Sequence, residues 1–171
     1  MFRILIVLVS LIGLGISASA QSQTFTAEGL DYALDLPSTS WKAVARVDVH
    51  RHVEFMNGEN ESAGYLRLRK RFVPPGTRPE EIFRKDEMWQ LRKLPGYVAC
   101  SDAKGEAFSG RLSGVVFSYE YVNAGTNMDG RIYYLQLDNR TFYALHFTVA
   151  SEKLKGLREQ MDSIARSFRL K

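Results

Sequence analysis

Apolar and polar residues alternate along much of this chain, and the period changes where helices take over. Leu30, Tyr32, Leu34 and Leu36 alternate with Asp31, Ala33 and Asp35, which predicts a half-buried strand. Pro37 stops it, Ser38-Thr39-Ser40 turns the chain, and Trp41 opens a second extended stretch. From Arg46 to Met56, Val47, Val49, Val53 and Phe55 share one face, while Asp48, His50, His52, Glu54 and Met56 share the other. Asn57-Gly58-Glu59-Asn60 breaks the pattern, and it returns from Tyr65 to Phe72. Antiparallel pairing must keep apolar residues on a common face, so Phe55 pairs with Leu66 and Val53 with Leu68. Glu54 then faces Arg67, His52 faces Arg69 and His50 faces Arg71. Arg51 and Lys70 meet on the apolar side, a defect unless that end of the hairpin is exposed.

Pro74-Pro75-Gly76 forces a loop, and Thr77-Arg78-Pro79-Glu80 fits a capping box opening a helix to about Leu94. Ile82, Phe83, Trp89 and Leu94 supply its apolar face, and Pro95-Gly96 ends it. Strands are predicted near Tyr97–Cys100, Glu106–Ser109 and Val115–Val122, and Gly125 to Gly130 reads as a turn. Arg131–Leu137 and Thr141–Val149 form a hairpin across Asp138-Asn139-Arg140. Ser151 caps a last helix whose Leu154, Leu157, Met161, Ile164 and Phe168 make a continuous apolar stripe. The fold class is therefore α+β, a mainly antiparallel sheet layered with two main helices.

The first twenty residues follow another rule. Arg3 precedes an apolar run from Ile4 to Ile16, and Ser17-Ala18-Ser19-Ala20 closes it, the order of a secretory signal peptide. A membrane span needs about twenty apolar residues, so residues 1–20 are expected to be a cleaved leader and 21–171 a single domain, a retained anchor being the weaker alternative. Export implies a secreted or periplasmic location, with no membrane span once the leader is removed.

Charge changes little. The chain carries +4, and loss of Arg3 with the leader leaves 22 basic against 19 acidic side chains. No dense Lys/Arg tract supports nucleic-acid binding. Cys100 is the single cysteine, and its neighbours Tyr97-Val98-Ala99 predict a buried thiol; an intermolecular disulfide is the alternative. Asn60-Glu61-Ser62 and Asn139-Arg140-Thr141 are sequons that matter only in a glycosylating host.

The two ends of the domain carry a resemblance. Gly29-Leu30-Asp31-Tyr32-Ala33-Leu34-Asp35-Leu36-Pro37 followed by Trp41 resembles the opening of PsbP-like domains, and a hairpin leading to a terminal helix ending Ser163-Ile164-Ala165-Arg166-Ser167-Phe168 resembles their close. The middle helix after a Pro-rich loop falls in the matching place. The resemblance implies a three-layer α/β/α sandwich with a central antiparallel sheet, and a non-enzymatic role. Its members include an extrinsic photosystem II subunit, a nuclear Ran-binding release factor and many exported bacterial proteins. No binding motif of the characterised members is matched, so no functional residue is carried over.

Candidate chemistry gathers on the polar face of the first hairpin. His50-x-His52-x-Glu54 places two imidazoles and a carboxylate on one strand face, a donor set suited to zinc or copper. The arginines expected opposite would repel a metal ion, and a solvated face of cross-strand charge pairs explains the same residues. Tyr65, Arg67, Arg69 and Arg71 form an aromatic-and-Arg stripe of the kind enriched at protein interfaces, though it is also ordinary on an exposed strand. Catalytic patterns fail. Ser113 is out of step with the G-x-S-x-G elbow, Ser101-x-x-Lys104 follows a strand rather than lying on a helix, and there is no phosphate loop. His146, between Leu145 and Phe147, reads as a satisfied histidine rather than a general base. The expectation is an exported accessory or binding protein of the cell envelope that meets a protein or envelope partner and needs no cofactor. The rivals are a small metal-dependent hydrolase on His50, His52 and Glu54, and an apolar-ligand carrier.

Overall fold

The computed structural model describes residues 22–44 and 53–171. Strands β1 (Gln23–Phe25), β2 (Tyr32–Leu36), β3 (Trp41–Val44), β4 (Glu54–Asn57) and β5 (Tyr65–Phe72) precede helix α1 (Pro79–Trp89). Strands β6 (Val98–Ala99), β7 (Glu106–Ser109), β8 (Ser113–Asn123), β9 (Thr126–Gln136) and β10 (Thr141–Ala150) lead to helix α2 (Ser151–Ser167) and a last strand, β11 (Arg169–Leu170). The main sheet runs β3-β4-β5-β10-β9-β8-β6, with β7 also paired to β8, and the described pairings are antiparallel. A small sheet, β1-β2-β11, joins the two ends of the domain.

Two cores form because the long strands alternate. Leu66, Leu68, Leu145, Phe147, Tyr133 and Leu135 point to one face, where Met161 and Ile164 of α2, Trp41 and the small sheet cover them. Phe117, Tyr119, Ile132, Tyr134, Phe142 and Ala144 point to the other, beneath Ile82 and Phe83 of α1 and Leu91. Phe83 stacks on Phe117 with ring centroids 4.1 Å apart. The result is the expected α+β sandwich, with the small sheet sharing a layer with α2.

The register predicted for the first hairpin is observed, with Glu54 opposite Arg67 and Phe55 opposite Leu66. The amide of Leu68 donates to the carbonyl of Val53 at 3.4 Å. Positions 45–52, including His50, Arg51 and His52, lie outside the described residues, as do residues 1–20, the expected leader.

Several local expectations change. Thr77 does not cap α1. Its hydroxyl donates to the carbonyl of Pro74 at 2.7 Å and closes the Pro-Pro-Gly turn, while Arg78 takes the N-cap position and Pro79 starts the helix one residue later than a Thr77 cap would. The helix stops at Trp89 rather than Leu94, and a 3-10 turn at Leu91–Lys93 follows. That break leaves Trp89 64% exposed and buries Leu91 instead. Strands β8 and β9 run almost to each other, so the turn expected over 125–130 shrinks to Ala124-Gly125, both at positive φ (48° and 82°), the two-residue hairpin turn that matches strand twist. β10 continues to Ala150, which takes the N-cap position of α2 and makes Ser151 its first helical residue rather than its cap. Cys100 is exposed, not buried, because β6 is a two-residue edge strand with both residues exposed. Its thiol donates to the carbonyl of Val98 at 3.8 Å. Partial burial pushes its pKa up to about 11, with the Glu120 and Asp129 carboxylates adding to the effect.

Candidate functional site

Parity places Tyr65, Arg67, Arg69 and Arg71 of β5 on the α1 face of the sheet. There they line a groove of about 240 Å³ with Ala144, His146 and Thr148 of β10, Ile132 of β9, and Tyr119 and Tyr121 of β8. Asp86 and Gln90 of α1, with Leu91 and Leu94, form the opposing wall. The stripe expected to be solvated thus sits beside a helix, and it becomes one side of a concave site.

Its arginines are not equivalent. Arg67 Nε donates to Glu54 Oε1 at 2.9 Å, and its Nη2 donates to the Tyr65 hydroxyl at 3.2 Å. Arg71 grips Asp86 with two parallel bonds, Nη1 to Oδ2 at 3.1 Å and Nη2 to Oδ1 at 2.9 Å. The Tyr134 hydroxyl donates to the same carboxylate at 2.8 Å. Such forked pairs are the strong form of charge-assisted hydrogen bond. Arg69 stands between these pairs, and among the described residues no hydrogen bond or ion pair engages it. Its Nε is buried without an acceptor.

His146 lies opposite Arg67 on β10, and its Nε2 is 2.6 Å from the Tyr119 hydroxyl. Tyr119 reaches it across Gly130 of β9, its direct cross-strand neighbour. A Cβ at Gly130 would lie 2.1 Å from Tyr119 Cζ, so glycine is the residue that lets the ring lie there. Burial lowers the pKa of His146 to about 4, and the nearby Arg67 and Arg69 guanidiniums add to that. Burial raises the Tyr119 phenol. At neutral pH both are uncharged. Among the described residues the groove therefore carries one unbalanced positive charge, on Arg69, beside an apolar wall.

The proposed metal donors are not all in view. Glu54 is buried and paired with Arg67, while His50 and His52 lie outside the described residues. No group of three His, Cys, Asp or Glu side chains able to hold a metal ion occurs among the described residues. His146 is hydrogen-bonded as a satisfied histidine, as its sequence context predicts, but its place in the groove lay outside that reading. The signal was available, since its place between Leu145 and Phe147 puts it on the face opposite the core that those two residues build.

Known structures share this arrangement of layers. A cyanobacterial PsbP, CyanoP from Synechocystis, superposes with TM-score 0.60 at 14% identity, covering 96% of this chain and 99% of that one. The Ran-binding protein Mog1p of Saccharomyces cerevisiae gives 0.59 at 9% identity, over 89% and 96%. The fold is that of PsbP and Mog1. LpqN, involved in cell envelope biogenesis in Mycobacterium tuberculosis, gives 0.54 at 15% identity, over 87% and 91%. A Bacteroides thetaiotaomicron structure (TM-score 0.59, 14% identity) is a longer chain, of which 88% of this one spans 49%. No family model and no curated protein matches the sequence. The PsbP/Mog1 likeness therefore gives the fold. No helix among the described residues is long and apolar enough to cross a membrane.

Proposed function

We propose that this chain is an exported, non-enzymatic binding protein of the cell envelope, and that it meets a protein partner at the groove built on Tyr65, Arg67, Arg69 and Arg71. The observation that carries this reading is Arg69. Its neighbours Arg67 and Arg71 are each neutralised by a carboxylate of this same chain, whereas Arg69 lines a concave site and, among the described residues, has none. A partly buried cation without an acceptor is costly to the fold alone, by about 1–3 kcal/mol for an unsatisfied donor, and is relieved by a bound acceptor. The leader-like first twenty residues support export. The binding and envelope roles of Mog1p and LpqN, proteins of the same fold, are compatible with it.

The test is mass spectrometry of the protein from its native extracytoplasmic fraction, under native and then denaturing conditions. The expected denatured mass is that of residues 21–171, and the expected native mass includes a protein partner that Arg69→Ala loses while circular dichroism stays unchanged. A chain retaining residues 1–20 would refute cleavage of the leader, and absence of the protein from that fraction would refute export. A bound metal lost on replacing His50 and His52 would replace this reading with the metal-dependent one.

A further inference from the structure

We infer that the groove beneath α1 recognises a single carboxylate attached to a short apolar body, with Arg69 as its anchor. This rests on the reading of the Tyr65–Arg71 stripe as a binding face, and it specifies the chemistry that face accepts.

The charge count sets the valence. Of the charged residues lining the groove, Arg71 is held by both oxygens of Asp86, and Arg67 is held by Glu54 behind it. Asp86 also accepts from Tyr134, so its oxygens are engaged by three donors. Among the described residues one positive charge remains, and a monoanion balances it. A phosphate dianion would find only half its charge compensated, since His146 is neutral in its shared hydrogen bond with Tyr119. A guanidinium presents its donors as a planar fork, and a carboxylate is the group that matches it.

The wall sets the body. Leu91, Leu94, Ile132, Ala144 and the Tyr121 ring line the same groove and offer apolar surface close to that charge. At about 240 Å³ the space is smaller than the ~300–1,000 Å³ typical of sites for drug-sized ligands. It suits a group the size of an aromatic ring or a short alkyl chain. Such a carboxylate is found on a free small acid, or at the acidic side chain or C-terminus of a partner protein.

Isothermal titration with phenylacetate, phenylacetamide and inorganic phosphate tests the inference. Phenylacetate is expected to bind, and phenylacetamide at least tenfold more weakly, because the amide keeps the ring and loses the charge. Arg69→Met should weaken phenylacetate at least tenfold, and Lys153→Met, an exposed change on α2, should not. The amide comparison needs no variant to fold. Equal binding of acid and amide, tighter binding of phosphate, or indifference to Arg69→Met would overturn the inference. Competition separates the two sources of the carboxylate. Phenylacetate that displaces the protein partner in native mass spectrometry supports a carboxylate on that partner. If phenylacetate binds through Arg69 and no protein partner occurs there, the group belongs to a free acid; the inference stands and the protein-partner reading falls. If a partner binds through Arg69 but phenylacetate neither binds nor competes, the inference falls and that reading stands.

Discussion

At His146 a titratable ring sits near two guanidiniums, Arg67 and Arg69, with its Nε2 committed to Tyr119 and Asp86 as the facing carboxylate. In an unfolded chain an imidazole titrates near 6.5. Here burial first, and the two arginines second, bring it to about 4. The sign follows from proton binding. Above about pH 6.5 the ring is neutral in both states and adds no pH dependence. As pH falls from about 6.5 to about 4 the unfolded chain takes up a proton that the fold refuses, so stability drops, by up to about 3 kcal/mol. Below about 4 both states are protonated and the slope vanishes. His146→Gln keeps a polar partner for Tyr119 and removes the titration. Urea unfolding at pH 7 and pH 4.5 should show the wild type losing roughly 2 kcal/mol more than the variant between those values, with the carboxylates cancelling in the comparison. Equal losses would mean that the ring accepts its proton within the fold. The same residue matters to the groove, because its neutrality leaves Arg69 as the unbalanced charge.

Helix α1 has 11 residues, too short to be stable alone in water, so packing holds it on the sheet. Two contacts dominate. One is the Phe83–Phe117 stack; the other is Asp86, which draws Arg71 of β5 and Tyr134 of β9 to a single carboxylate. Asp86→Ala would leave that guanidinium and phenol without their acceptor. The pair is partly exposed, so the expected loss is about 2 kcal/mol rather than the larger cost of a fully buried break. Asp86→Asn, which can still accept, should lose less. Denaturant midpoints at constant slope measure both, and a change within about 0.5 kcal/mol for Asp86→Ala would show that the aromatic stack suffices. This clamp also marks the limit of what sequence reveals. Alternation was enough to put Tyr65, Arg67, Arg69 and Arg71 on one face and to align Glu54 with Arg67, because a period of two is local. That α1 roofs that face is a long-range fact. Asp86 and Arg71 are 15 residues apart with a loop between, and nothing in either segment announces the pairing. The position of the turn at Ala124-Gly125 is hidden for a related reason. Asn127 and Gly130 look like loop residues, but β9 takes them up in pairing with β8, and Gly130 is needed to admit the Tyr119 ring.

At the scale of the whole molecule, one sheet serves two cores, and the chain ends lock one of them. Phe168, fully buried just after α2, stacks on Tyr32 of β2 with centroids 5.3 Å apart and packs near Tyr143 of β10 at 4.7 Å. β11 then pairs with β2, Arg169 donates to Asp35 at 3.0 Å, and the Asp35 amide donates to the Ser167 hydroxyl at 2.8 Å. Strands β9 and β10 supply side chains to both cores at alternate positions, so loss of order in one layer removes the floor of the other. The expected consequence is a single cooperative unfolding transition. Of the two tryptophans, Trp41 is fully buried in the α2 layer and Trp89 is exposed on α1. In a Trp89→Phe background, fluorescence therefore reports the α2 layer, while far-UV circular dichroism reports every element. The two urea curves should coincide. Phe168→Ala removes a buried ring and should cost about 3–5 kcal/mol, moving both curves to lower urea by the same amount with an unchanged slope. If the fluorescence midpoint moved and the dichroism split into two steps, the α1 layer would be shown to keep its order on a sheet whose other face had opened, and the groove would then be able to form without the α2 core.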